Sequence, residues 1–261
     1  MKKLISSIAI ASGFSFAIPM IDVEASIGVW NQSPKGYIQY PSNTGNSIDL
    51  ENDLNLGDET KFSGKLKIEL PILPKLYLQY TDMEFTGKGN LQNIRFGDYI
   101  FNASVDSKIT AKQYDIGLYY NIPLVKTLSF GAIDPEIGVI VKILDFEAVV
   151  SGQAKEVRSG VTANYTEKVS QTVPIPLGYA YLGINFPTLF GVWGELKGIK
   201  YDENYFYEYA LGIRVRPIDL GAGHIFVEGG YRFQRLRLKD VEDITADIKV
   251  GGFFGNIGIS F

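Results

Sequence analysis

The chain has 261 residues, one His, no Cys and a formal net charge of −4. The absence of Cys excludes disulfides and thiolate metal sites, a single His excludes every two-His metal motif, and so mild an acidity offers nucleic acid no attractive field. Gly 28, Tyr 16 and Phe 16 together are not the composition of a helical protein.

Lys2 and Lys3 open the chain and are followed by the apolar run Leu4 to Ala17. A positive start and an apolar core too short to span a bilayer predict a secretory signal peptide over 1–17, with Ser15-Phe16-Ala17 as the favoured cleavage site and Val23-Glu24-Ala25 as the second. Its removal takes Lys2 and Lys3 away and moves the charge from −4 to −6. The remainder, 18–261, reads as one exported domain.

From Ile21 onward the dominant period is two, in segments of about 10 to 14 residues, which is the signature of a membrane barrel. Ile21 to Gln32 sets Ile27 and Val29 against Glu24, Ser26 and Trp30. Lys61 to Leu70 sets Phe62, Leu66 and Ile68 against Lys65, Lys67 and Glu69. The same alternation recurs in Lys75 to Phe85, Thr110 to Asn121, Glu136 to Val150, Tyr205 to Val215 and Ile225 to Leu236. Gln171 to Phe186 and Phe190 to Tyr201 read as strands of undecided parity, and Ile248 to Phe261 closes the set. The predicted fold is therefore all-β: a single transmembrane antiparallel up-and-down barrel of ten strands, with 8 or 12 as the neighbouring counts.

Short turns are expected at Pro71 to Pro74, Ile122 to Leu128, Pro187 to Leu189 and Pro217 to Gly223, where proline cannot interrupt a ladder. Long outer loops are expected at Ser33 to Thr60, Thr86 to Ile109 and Ser151 to Ser170. Tyr80, Tyr205, Tyr207 and Phe233 fall near one membrane interface and Tyr120, Phe186 and Phe261 near the other, as two aromatic girdles. The final strand, FFGNIGISF, places Phe253, Ile257, Ile259 and Phe261 on one face and ends in an aromatic residue. That pattern is what the outer-membrane assembly machinery reads, so the machinery is an expected partner during biogenesis.

Several stretches resemble a family of small bacterial outer-membrane β-barrel proteins of uncharacterised function. They are IDVEASIGVW at 21–30, IDLENDLNLGDE at 48–59, LPILPKLYLQYT at 70–81 and GGYRF at 229–233 followed by Asp240 to Asp247. The resemblance covers most of the mature chain and implies a fold and a multi-pass location in the bacterial outer membrane. It transfers no activity.

The sequence argues against an enzyme. A Ser-His-acid arrangement needs a His at the reacting end, and His224 follows a turn expected on the periplasmic side. Surface proteases of enteric bacteria share the ten-strand count but require a surface-side His and paired acids. No cofactor is called for. Lys65, Lys67, Glu69, Asp115, Glu136, Lys142, Glu208, Arg214, Glu228 and Arg232 all fall on the predicted lumen face. They either pair across a narrow barrel as a plug or line a water-filled path, and a lumen of ten strands favours the plug. Asp49, Glu51, Asp53, Asp58 and Glu59 form an acidic run in the first outer loop. Calcium chemistry is one reading of it, but no EF-hand order is present, and a solvated loop facing lipopolysaccharide is the favoured one. The expected function is a structural or surface-interaction barrel in contact with outer-membrane lipid, with a small ion or solute channel as the alternative.

Overall fold

The computed structural model describes residues 21–44, 46–70, 74–186 and 189–261. The signal peptide expected at 1–17, most of the turn at Pro71 to Pro74 and the start of the turn at Pro187 to Leu189 lie outside the described residues.

Ten strands close into a barrel: β1 (Asp22–Gln39), β3 (Glu59–Glu69), β4 (Lys75–Thr81), β6 (Tyr99–Asn121), β7 (Ile133–Glu156), β8 (Thr162–Asn185), β9 (Phe190–Tyr201), β10 (Asn204–Asp219), β11 (His224–Val241) and β12 (Ile244–Ser260). Each pairs antiparallel with the next in that order, and β12 returns to β1 from Glu24↔Ser260 to Gln39↔Thr245. At this seam Gly252 lies so close to β1 that an added Cβ would sit 1.6 Å from the Asn31 carbonyl oxygen, so only glycine fits. Phe261 extends the seam, its N–H donating to the Val23 carbonyl and receiving that residue's N–H in return. Two further strands stay outside the closed wall: β2 (Ile48–Asp49), paired with β1, and β5 (Glu84–Phe96), paired with β6.

β6, β7 and β8 run for 23, 24 and 24 residues, whereas about 9–11 suffice to cross a bilayer. The stretches expected as long outer loops at Thr86 to Ile109 and Ser151 to Ser170 are instead paired hairpins that continue the wall. β1 likewise continues to Gln39, well into the expected loop at Ser33 to Thr60. The expected strand Lys75 to Phe85 breaks after Thr81, and β5 starts at Glu84 as a separate strand. On the opposite side, the expected turn at Ile122 to Leu128 holds one short helix, α1 (Pro123–Leu128), which starts on a proline as helices tolerate.

The hydropathy of the two faces inverts along each long strand. On β7 the outward residues Ile137, Val139 and Val141 are apolar and exposed, while Glu136 and Lys142 point inward and are buried. From Leu144 on, the same inward face carries Leu144, Phe146, Ala148 and Val150, and the outward face carries Asp145 and Glu147. β11 does likewise, passing from outward Val227, Tyr231 and Phe233 to outward Arg235 and Arg237, while its inward face passes from Glu228 and Arg232 to Leu236. The inversion marks where lipid ends and water begins, because the outer surface must be apolar in one and polar in the other. Tyr80 and Tyr114, with ring centroids 5.2 Å apart, and Tyr207 and Phe233, at 6.0 Å, lie at this level. Phe186 stacks on Phe190 towards the short-turn end.

The interior consequently has two layers. The short-turn half holds charges and tyrosines, and the long-hairpin half holds an apolar core that includes Ile38, Phe85, Phe101, Phe146 and Val250. The segment of the acidic run closes that core from above. Its Ile48, Leu50, Leu54 and Leu56 are buried in it, Leu50 N–H donates to the Gly36 carbonyl, and Asn90 N–H donates to the Asp53 carbonyl.

Candidate functional site

The lumen of the membrane-spanning half is filled by a network of buried charges. Six cations, Lys65, Lys67, Lys142, Lys197, Arg214 and Arg232, meet six carboxylates, Glu24, Asp115, Glu136, Glu195, Glu208 and Glu228, so the set is electrically balanced. Strand parity places them there. Each stands on the inward face of its strand, away from the lipid-facing side, and the only low-energy arrangement for a charge so placed is against an opposite charge.

At the centre Asp115 is gripped from both sides: Lys142 Nζ lies 2.7 Å from Oδ1 and Lys197 Nζ 2.7 Å from Oδ2. Glu208 completes the group, 3.3 Å from each lysine and 2.8 Å from Arg232 Nη2. Neutral groups take further donors. Lys142 donates to Gln113 at 2.9 Å, Lys197 to Gln79 at 2.9 Å, and Arg232 Nη1 to Thr81 Oγ1 at 3.1 Å. The Arg232 guanidinium also lies over the Trp30 ring at 4.6 Å. Lys142 and Lys197 are both 0 % exposed.

Nearer the short turns two further groups flank this centre. Lys67 and the Tyr179 hydroxyl both donate to Glu136, at 2.7 and 2.8 Å, with Lys67 held over the Tyr181 ring at 4.2 Å. Arg214 grips Glu24 with both terminal nitrogens, at 2.6 and 2.7 Å, and donates from Nε to Glu228 at 2.7 Å. A fork-to-fork pair of this kind fixes direction as well as charge. Lys65 bonds Glu195 at 2.9 Å, and Tyr77 donates to Glu195 at 3.1 Å.

Below these groups the barrel opens at the short-turn end into a vestibule of about 660 Å³, lined by Lys67, Glu136, Arg214, Arg216 and His224 among others. Above them stands the apolar core. Within the charged layer a space of about 30 Å³ lies between Ser26, Lys65, Gln79 and Arg232, room for one or two waters. The vestibule therefore ends blind on the network.

All the residues expected on the lumen face point inward, and all but Glu69 join this network; Glu69 pairs with Lys75 at the vestibule rim. Sequence reasoning missed Glu195 and Lys197, which sit at the heart of the network on β9. The alternation of their strands does put the buried Tyr77 and Tyr119 on the inward face, whereas Tyr179, on a strand of undecided parity, was missed as a lumen filler. His224 stands at the short-turn end, first residue of β11.

The five carboxylates of the acidic run do not converge. Asp49 Oδ1 accepts the N–H groups of Glu51 and Asn52, and Asp53 accepts the Asp49 N–H, so both cap a local turn. Glu51 pairs with Lys35 at 3.2 Å, Asp58 accepts from Ser33, and Glu59 lies 3.7 Å from Lys61. Among the described residues no group of three His, Asp or Glu side chains is placed to hold a metal ion.

Outside the membrane level Glu84 accepts a hydrogen bond from Lys108 at 2.8 Å, which holds its carboxyl below the usual carboxylate range.

No protein-family model matches the chain, and no curated protein matches it. Solved structures do. The outer membrane protease OmpT of Escherichia coli superposes with a TM-score of 0.51 at 10 % identity, covering 95 % of this chain and 98 % of that one. The translocator domain of the autotransporter NalP from Neisseria meningitidis matches with a TM-score of 0.37 at 12 % identity, over 100 % of this chain and 94 % of that one. Ail of Yersinia pestis gives 0.36 at 11 % identity, over 93 % and 99 %. The chain thus has the fold of the bacterial outer-membrane β-barrels. This corrects the expectation of a non-enzyme, since a protease is built on this same fold. At such identity the likeness carries the fold and no residue roles.

Proposed function

We propose that the protein resides in the bacterial outer membrane as a sealed barrel, and that it acts as a structural or surface-interaction protein through its long hairpins. The observation that supports this reading is the balanced network around Asp115, with Lys142 and Lys197 fully buried and an apolar core stacked above it. An ion crossing the barrel would have to part both layers. In this orientation the short turns and the vestibule face the periplasm, and the hairpins of β5–β6 and β7–β8 stand above the lipopolysaccharide headgroups. The terminal strand, with Phe253 73 % exposed and Ile257 beside it on the lipid face, serves as the recognition segment for the assembly machinery.

A small ion or solute channel is the second reading, favoured by the open vestibule. Solute efflux from proteoliposomes separates the two. Retention of an entrapped small dye or sugar by correctly inserted protein supports the sealed barrel, and release at a rate set by the protein-to-lipid ratio contradicts it.

A further inference from the structure

The wall of the barrel is not paired along its whole length. β8 and β9 share a ladder only from Gly178↔Gly198 to Asn185↔Gly191, although β8 begins at Thr162 and β9 runs on to Tyr201. Continuing the register would set Pro176 against Lys200, and proline has no N–H to give the ladder. Where the pairing stops, a groove of about 730 Å³ opens on the wall. Its floor is made of the small residues Gly178, Ala180 and Gly198, and its sides of Leu196, Tyr205 and Tyr207. A Cβ added at Gly178 or Gly198 would come no closer than 3.4 Å to any other atom, so glycine here is not forced by backbone crowding; it leaves room.

The groove lies on the lipid-facing side at the level of the aromatic belt, and cations stand at its outer end. Lys200 is opposite Tyr205 on β10, and Tyr205 is opposite Arg237 on β11, so the two cations flank one tyrosine about 10 Å apart. The neighbouring acids have closer partners, Glu203 in Lys239 and Asp247 in Arg235 at 2.6 Å, and Arg237, opposite Asp247, shares their field only at longer range. Among the described residues neither Lys200 nor Arg237 has a carboxylate within ion-pair distance. A channel for one hydrocarbon chain thus ends beside Lys200 and Arg237, whose cationic heads make no close ion pair although Arg237 stands opposite Asp247, on the face and at the depth where an outer-leaflet lipid presents its headgroup.

We infer that this groove holds one acyl chain of a phosphorylated outer-leaflet glycolipid, with phosphates seated on Lys200 and Arg237. Two separated cations match a headgroup carrying two phosphates better than the single phosphate of a phospholipid. The inference deepens the outer-membrane reading and rests on it.

The test uses the full mature protein folded in zwitterionic detergent, with binding of diphosphoryl lipid A followed by native mass spectrometry. Phosphatidylglycerol and phosphatidylcholine serve as competitors. Saturable retention of lipid A is expected, weakened about tenfold or more by Lys200→Ala with Arg237→Ala. Gly198→Leu, which fills the groove and leaves the charges, is expected to weaken it comparably, and Ala180→Leu does the same work should the first variant not fold. Neither phospholipid is expected to displace lipid A at equal concentration. Equal retention by the charge or groove variants overturns the inference, as does equal competition by phosphatidylcholine. Protein that folds but will not enter bilayers contradicts the membrane reading, and this lipid site with it.

Discussion

Lys197 on β9 donates to Asp115 on β6 across 2.7 Å, although two other strands, β7 and β8, separate them in the wall. The contact therefore crosses the lumen, and with Lys142 and Glu208 it ties opposite sides of the barrel together. The pairing itself adds little net stability, since burying both ions offsets their attraction. Removing one member is different, because the others stay buried with their charges no longer balanced.

Asp115→Leu is expected to destabilise the barrel by about 3–5 kcal/mol, because Lys142 and Lys197 lose their closest carboxylate and must share Glu208, already claimed by Arg232. The readout is the temperature at which the fast-migrating folded band converts to the unfolded one on unboiled gels. Adding Lys142→Met to Asp115→Leu should recover part of the loss. An unchanged transition in the single variant would show that the network is not formed.

Arg214→Lys keeps the charge but loses the two-pronged grip on Glu24 and the bond to Glu228. A loss of about 1.5–3 kcal/mol is expected, as for hydrogen bonds to charged groups. Thermal conversion of the folded band measures it, and parity with wild type would mean that a point charge suffices there.

The acidic segment should behave as a lid packed by its apolar residues rather than as a free loop. Leu54→Ala empties a buried site and is expected to destabilise the lid by about 2–5 kcal/mol. Added protease should then cut between 46 and 58 on intact cells far faster than in wild type. Equal protection in the two would contradict the packing.

Acid should loosen the outer rim in one identifiable place. Glu84 has a folded-state affinity for protons lowered by the hydrogen bond from Lys108, relative to its unfolded value of 4.5. Its contribution is thus fully present above that value and lost as pH falls through the lower folded one. The site is partly exposed, so the effect is small, under about 1 kcal/mol. Amide exchange at the base of β5 should rise in this acid window in wild type and be insensitive to it in Glu84→Gln.

The membrane-level part of the fold was legible because lipid imposes one rule on every strand. Apolar side chains at Ile137, Val139 and Val141 declare the outer face, so Glu136 and Lys142 must point inward. β9 escaped that logic. Its inward face mixes Trp193 with Glu195 and Lys197, and its outward face is thinned by Gly194 and Gly198, so neither face is clearly apolar. The outer hairpins escaped it for the opposite reason: above the bilayer Asp145 and Glu147 turn outward while Leu144 and Phe146 turn inward. Polar residues in those stretches looked like loop, whereas they are the wet face of a continuing sheet. The junction Ile143–Leu144, where apolar residues change faces, is the signal that could have found it.

The central claim is that the lumen is sealed, and single-channel recording of the refolded protein in a planar bilayer at high salt tests it most directly. With folding confirmed by heat-modifiable migration and a β-type circular dichroism spectrum, a silent bilayer is predicted. Discrete conductance steps from the wild-type chain, with ion preference altered by neutralising Lys65 or Arg232, would contradict it and establish a pore lined by these charges.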